Sequence, residues 1–297
     1  MLKIFNFFNP SAFGRQVQLL QPFPDMPLLT FTSDFGSSDH LVGGVKGEIL
    51  KLNEGFQIID ITHDIIPYNF MQAAYVCRNI FSGFPPESFH LILVNAFDNN
   101  SDHLLLIRHQ GQILGMPDNG LITMILGRLP DEVVAIPFPP GFKKSIKSFT
   151  ALLVEAFSSL LSGVKLEKLG RSQVQIQEKH LMKPFASDQY IEGQILMIDR
   201  FLNVIVNITE EEFETSRRGR PFKIVLLRDA FIEKISDHYA DVPEGEKLAF
   251  FNEAGYLEIA VNKGYAAPLF GLGEFSGSSQ HHHEKRQYYQ TVKVFFE

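Results

Sequence analysis

Residues Phe89 to Asn95 read Phe-His-Leu-Ile-Leu-Val-Asn, a nearly unbroken apolar run of strand length. A strand with one wet face alternates polar and apolar side chains, so a run like this belongs in a sheet covered on both sides. Its neighbours agree. Leu28 to Thr32 and Gln57 to Thr62 are strand-like, and each is followed by a helical pattern: Leu41, Val45, Ile49 and Leu52, then Asn69 to Ile80. Ser37 or Ser38 is placed to cap the first of these helices. Leu104 to Arg108 and Gln112 to Gly115 look like paired strands, and Asp118-Asn119-Gly120 is a turn. Leu121 to Leu126 starts a helix, Val133 to Ile136 is a further strand, and Ser148 to Leu161 is a longer helix. Alternating strands and helices predict an α/β layered domain with a mostly parallel sheet. Gly43, Gly44 and Gly47 weaken the first helix, which points to its close approach to a sheet or to another chain.

The texture changes near Ile191. Gly193 to Ile198, Asn203 to Ile208, Phe222 to Leu227, Lys247 to Asn252, Leu257 to Val261 and Thr291 to Phe296 are short β-type runs with turns between them. This predicts a smaller all-β C-terminal domain, a barrel or sandwich. The expected division is an N-terminal extension over 1–26, an α/β domain over 27–184 and an all-β domain over 190–297, with Pro184 in the boundary.

Composition excludes several classes. The single Cys77 rules out an intramolecular disulfide framework and a multi-cysteine zinc site. A net charge of -7 argues against sequence-independent nucleic-acid binding. No stretch approaches the ~20 apolar residues of a membrane span, and the first 26 residues lack a signal-peptide pattern, so cytoplasmic residence is expected. There is no phosphate loop, dinucleotide fingerprint or nucleophile elbow. The run His281 to His283 reads as a polar or tag-like tract rather than a metal site, and no metal is expected.

The polar residues that remain collect where parallel strands end, the place at which open α/β sheets bind ligands. Asp34 follows the first strand and can accept two hydrogen bonds from a ribose diol; taken alone, it reads better as a capping or turn residue. Asp60, Thr62, His63 and Asp64 follow the second, where His63 reads as a structural, hydrogen-bonded histidine. Asn95 ends the third and opens the loop Ala96 to His103, which should face the same crevice as Asp34. In the second domain Asp199-Arg200-Phe201-Leu202-Asn203 offers an aromatic face and a carboxamide for a nucleobase, or simply a turn. Asn262 ends a hairpin strand.

In order, Thr32-Ser33-Asp34-Phe35-Gly36, Val42-Gly43 with Lys46-Gly47, Asp60-Ile61-Thr62-His63, Pro117-Asp118-Asn119-Gly120-Leu121, Ile198-Asp199-Arg200-Phe201 with Asn203, Asn207-Ile208 and Tyr256 to Asn262 resemble the S-adenosyl-L-methionine hydroxide adenosyltransferase family, relatives of the fluorinases and chlorinases. The resemblance spans roughly Leu28 to Phe296. It implies an N-terminal α/β domain, a C-terminal β domain and a homotrimer whose ligand lies between the N-terminal domain of one subunit and the C-terminal domain of the next. It implies that Asp34 holds the ribose hydroxyls, that Asn203 reads the adenine edge beside Phe201, and that Asp199 and Asn262 meet the methionine end. Phe97 and Phe149 are further candidate walls. The implied reaction is attack of water on C5′ of S-adenosylmethionine, giving adenosine and methionine, with no cofactor; a halide is the alternative nucleophile.

The sequence departs from the family at the water-orienting Asp, Arg and His. Asn95, Asp102 and Thr150 stand at or near those positions, and Leu202 replaces a family glycine. Asn95, Asp102 and Thr150 are therefore the candidate catalytic residues of a rearranged site. The alternative function is a non-catalytic protein that binds S-adenosylmethionine or adenosine.

Overall fold

The computed structural model describes residues 26–226, 230–271 and 291–297. The N-terminal extension up to residue 25, Leu227 and the His281 to His283 tract lie outside the described residues.

The N-terminal half contains β1 (Leu28–Ser33), α1 (Leu41–Leu52), β2 (Gln57–Thr62), α2 (Phe70–Arg78), β3 (Phe89–Leu93), β4 (His103–His109), β5 (Gln112–Pro117), α3 (Leu121–Leu126), β6 (Glu132–Pro137) and α4 (Ile146–Leu161). The six strands form one sheet in the order β2-β1-β3-β5-β4-β6. Leu91 and Leu93 of β3 face a core shared with Val45 and Ile49 of α1 and Leu153 and Phe157 of α4. Ile92 and Val94 face the opposite core, with Ala73 and Cys77 of α2 and Ile122 of α3. Both faces are dry, which is why the strand reads as an unbroken apolar run. Each such side chain contributes roughly 1.5–3 kcal/mol on burial.

The sheet is mixed, and the expectation of a mostly parallel sheet holds only in part. β1 pairs in parallel with β2 and β3, and β3 with β5, but β4 runs antiparallel to both β5 and β6. The cause is local. Gln110 and Gly111 both have positive φ, 49° and 78°. That is the signature of a tight hairpin whose twist matches its strands, so β5 returns beside β4 instead of crossing over. Gly115 is required for a different reason: a Cβ there would lie 2.6 Å from the Phe157 ring.

Two details of α1 differ from the sequence reading. Neither Ser37 nor Ser38 caps it; the helix begins at Leu41, whose N–H donates to Asp39 Oδ1 at 2.8 Å. A Cβ at Gly43, Gly44 or Gly47 would meet nothing within 4 Å, so these glycines do not serve a close approach to the sheet.

The C-terminal half contains β7 (Phe185–Ala186), β8 (Tyr190–Ile198), β9 (Val204–Thr209), α5 (Glu210–Arg217), β10 (Phe222–Val225), β11 (Phe231–Ile232), β12 (Lys247–Phe251), β13 (Tyr256–Val261) and β14 (Thr291–Phe296). Every ladder here is antiparallel, in the order β11-β10-β14-β8-β9-β13-β12 with β7 on β8. The two ends almost meet: Ile235, just after β11, bridges Ala249 of β12, so the sheet is nearly a barrel. The half is not all β. Thr209 and Glu212 form a reciprocal capping box that starts α5, and Phe213 anchors that helix in the barrel core.

Candidate functional site

Four chain segments converge at the carboxyl edge of the N-terminal sheet. Asp34 leaves β1, His63 follows β2, Asn95 follows β3 and Asp118 follows β5. Asp34 Oδ2 accepts the Asn95 N–H at 2.9 Å. Burial pushes the Asp34 carboxyl above its ordinary value, and the Asn95 N–H pulls the other way. Asn95 sits at φ 47°, a left-handed conformation that Asn tolerates better than most residues. Its Oδ1 accepts the Tyr68 N–H at 2.8 Å. Its Nδ2 is buried with no partner, as are Thr32 Oγ1 and His63 Nε2. Buried polar atoms are normally paired, so the unpaired Asn95 Nδ2 and Thr32 Oγ1 at one sheet edge mark a place built to meet something polar. His63 lies with Nδ1 2.8 Å from Ser33 Oγ. Its Nε2 comes within 3.2 Å of Asp60 Oδ1 but without hydrogen-bond alignment.

The three candidate catalytic side chains are engaged separately. Thr150 is fully buried in α4, and its Oγ1 donates to the Ile146 carbonyl one turn back, at 2.8 Å. Asp102 is exposed and lies 3.1 Å from Arg171 Nη2 and 2.7 Å from His103 Nδ1. Only Asn95 stands beside Asp34. Phe149 and Phe97, the two candidate walls, both line a small crevice with Phe138 and Asp118. Phe149 is 2% exposed and packs near-parallel to Phe138 and Phe142, at 5.5 and 6.2 Å. Phe97, 54% exposed, covers its edge at 5.4 Å.

One group at this edge was not singled out from the sequence. His103 Nε2 lies 3.1 Å from Asp118 Oδ2, while Nδ1 faces Asp102. The two residues meet because Leu104 pairs with Pro117 in the antiparallel β4–β5 ladder, placing the residues one step further opposite each other. The hydrogen bond that His103 donates to Asp118 is the main cause that lifts the His103 pKa, with Asp102 adding to it against burial. Asp118 Oδ1 is occupied by the Gln177 N–H. The signal was the adjacent Asp102-His103 pair; what hid its partner was the direction of β4.

The second set of candidates lies in the barrel. Phe201, Asn203 and Asn262 line a crevice of about 540 Å³ together with Tyr239, Lys263 and Tyr265, all of them C-terminal residues. Phe201 is 71% exposed, an open aromatic face. Asp199 Oδ1 accepts the N–H groups of Phe201 and Asn203, at 2.9 and 2.8 Å. Leu202 takes φ 61° in that turn, a backbone that glycine adopts without cost. Asn262 Nδ2 donates to the Val242 carbonyl at 2.8 Å. The crevice beside Phe97 and Phe149 is lined by N-terminal residues alone.

Comparison with known proteins decides the family. The SAM hydroxide adenosyltransferase N-terminal domain matches residues 29–170, and the SAM hydroxide adenosyltransferase C-terminal domain matches residues 193–277. The chain belongs to the SAM hydroxide adenosyltransferase family. Among its relatives are an "(R)-S-adenosyl-L-methionine hydrolase" of Methanocaldococcus jannaschii, 27% identical over 83% of this chain and 93% of the relative, and one of Thermus thermophilus, 26% identical over 82% and 95%. A "Fluorinase" of Actinopolyspora mzabensis is 22% identical over 84% of this chain and 95% of its own. The crystal structure of an uncharacterized conserved protein from Thermotoga maritima superposes with a TM-score of 0.73, covering 90% of this chain and 99% of that one at 24% identity. That likeness shows the shared fold. Within this family frame, the described residues include no helix long and apolar enough to cross a membrane.

Proposed function

We propose that this family member binds S-adenosylmethionine and hydrolyses it at C5′ to adenosine and methionine. The observation that carries the reading is the Asp34–Asn95 pair: a partly buried carboxylate beside a buried, unpartnered carboxamide N–H. The carboxylate suits a ribose diol, whose two O–H groups donate. The amide N–H suits an oxygen lone pair or an anion. Family relatives named as S-adenosylmethionine hydrolases support the same chemistry.

In this reading Phe201 covers the adenine face, Asn203 reads its edge, and Asp199 and Asn262 lie toward the methionine end. The barrel crevice is lined by C-terminal residues, and the small crevice beside Phe97 by N-terminal ones. The family resemblance, in which the ligand lies between the N-terminal domain of one subunit and the C-terminal domain of the next, supports a homotrimer.

The leaving group needs no acid, because the sulfonium departs as a neutral thioether. An oxygen–C5′ bond forms as the C5′–sulfur bond breaks, the electron pair goes to sulfur, and methionine departs neutral. The attacking water gives up a proton. Asn95 cannot take it, because a carboxamide is not a base at neutral pH. The proton goes to solvent, and catalysis rests on in-line placement and exclusion of bulk water. Turnover should therefore be slow. No step calls for a cofactor.

A second reading, binding without turnover, is favoured by the locked Thr150 hydroxyl and the amide at position 95. Incubation of the pure protein with S-adenosylmethionine, with adenosine and methionine followed by chromatography, separates the two. Equal release of both products above the buffer rate supports hydrolysis. Saturable binding without products leaves the second reading. Neither binding nor products would sink both.

A further inference from the structure

The barrel residue expected to read a purine is not free to present either end of its amide. Asn203 is 1% exposed and lies at the base of the crevice. Its Nδ2 is 2.9 Å from Glu258 Oε1, 3.3 Å from Asp199 Oδ2 and 2.6 Å from Tyr239 Oη. Amide nitrogen and oxygen look alike to most methods, and orientation must be argued from partners. Here the partners decide it. An ionised carboxylate only accepts hydrogen bonds, so an Asn with its oxygen turned toward Glu258 and Asp199 would set lone pair against lone pair. Glu258 is itself held: its Oε2 accepts from Asn252 Nδ2 at 3.0 Å, and it is 7% exposed. It cannot swing away without breaking that second bond.

We propose that Glu258 is a positioning residue that fixes the Asn203 carboxamide with its oxygen toward the crevice, so that the site selects a purine carrying a 6-amino donor over one carrying a 6-oxo acceptor. The proposal rests on the adenosyl reading above and deepens it. A 6-amino group donates to the Asn203 oxygen. A 6-oxo group at the same place faces another oxygen, and the misfit leaves a buried acceptor unpaired.

The test compares adenosine, inosine and purine riboside, which lacks any 6-substituent, by calorimetry. Wild-type protein should bind adenosine at least tenfold tighter than either of the others, since one good hydrogen bond is worth about that factor. Glu258→Gln has the same shape but can present a donor to Asn203. It should lower the adenosine-to-inosine affinity ratio by about tenfold, mainly by weakening adenosine. Tyr239→Phe, which leaves both carboxylates in place, should keep the ratio. A merely structural Glu258 would weaken both nucleosides together and leave the ratio alone, and that result overturns the proposal. So does a wild-type ratio near one, which needs no variant to fold. Failure of wild-type protein to bind any of the three removes the adenosyl reading itself.

Discussion

The Asn95 backbone N–H donates to Asp34 Oδ2 at 2.9 Å, joining the loop after β1 to the loop after β3. Those loops belong to neighbouring parallel strands, in which Ser33 pairs with Leu93. The bond thus sets two polar side chains side by side at the sheet edge and helps to hold Asn95 in its left-handed turn.

Removing the carboxylate should cost binding more than folding. Asp34→Ala is expected to weaken S-adenosylmethionine and adenosine by about thirtyfold, the loss of charge-assisted bonds worth about 2 kcal/mol. Calorimetry checks this, and an unchanged affinity would place the ribose elsewhere.

The amide at position 95 is the proposed reason for slow turnover. Asn95→Asp keeps an oxygen for the Tyr68 N–H and tolerates φ 47°. It adds a group that can take the proton of water, and general-base assistance contributes on the order of a hundredfold or more. Product release should rise by about that factor, with the gain appearing as pH rises through the new acid's pKa. Asp34 nearby will hold that value up, because like charges disfavour ionisation. A variant no faster than wild type would show that a missing carboxylate is not what limits the rate.

His103 should make stability depend on pH. The groups facing it are Asp118, Asp102 and Ser101, with Arg171 on the far side of Asp102. Its pKa in the folded chain is raised, first by Asp118. A raised folded value means that the imidazolium's contribution is fully present below its unfolded pKa of about 6.5 and is lost as pH climbs through the folded value. Melting temperature should fall over that upper window, and His103→Gln should flatten the fall. A wild-type melting temperature unchanged across the window would deny the bridge its charge.

The two aromatic candidates of the N-terminal edge should behave oppositely. Phe149→Ala empties a ring from a stacked core and is expected to cost about 3–5 kcal/mol. Phe97→Ala, at an exposed ring, should change stability by under about 1 kcal/mol and instead alter ligand affinity. Denaturant melts and binding curves on both variants check the split, and equal stability losses would refute it.

Much of this fold is legible in the residues. β3 and its neighbours are readable because apolar runs report two-sided burial, and the nearness of Asp34 to Asn95 because neighbouring parallel strands end at one edge. The failures share a cause: they depend on contacts between segments. The hairpin signal at Gln110-Gly111 is two residues long, yet it reverses β4 and so creates the His103–Asp118 pair. Thr150 looks like a site residue by position, but a hydroxyl inside a helix can satisfy itself on the preceding turn. Helix α5 carries its own local signal, the Thr209 and Glu212 capping box, within a stretch otherwise patterned for strands.

A last consequence follows from the hydrogen-bond chain through Asn203. It runs from Tyr239 Oη to Asn203, Glu258 and Asn252, and ends on Tyr75 Oη of α2 at 3.2 Å. The protein has no Trp and 8 Tyr, so tyrosine dominates its native emission. Two of those phenols terminate the same chain, one in each half of the molecule. Arrival of a ligand at Asn203 should therefore register in the native emission and absorbance of the protein, which carries its own optical probe at both ends of the network.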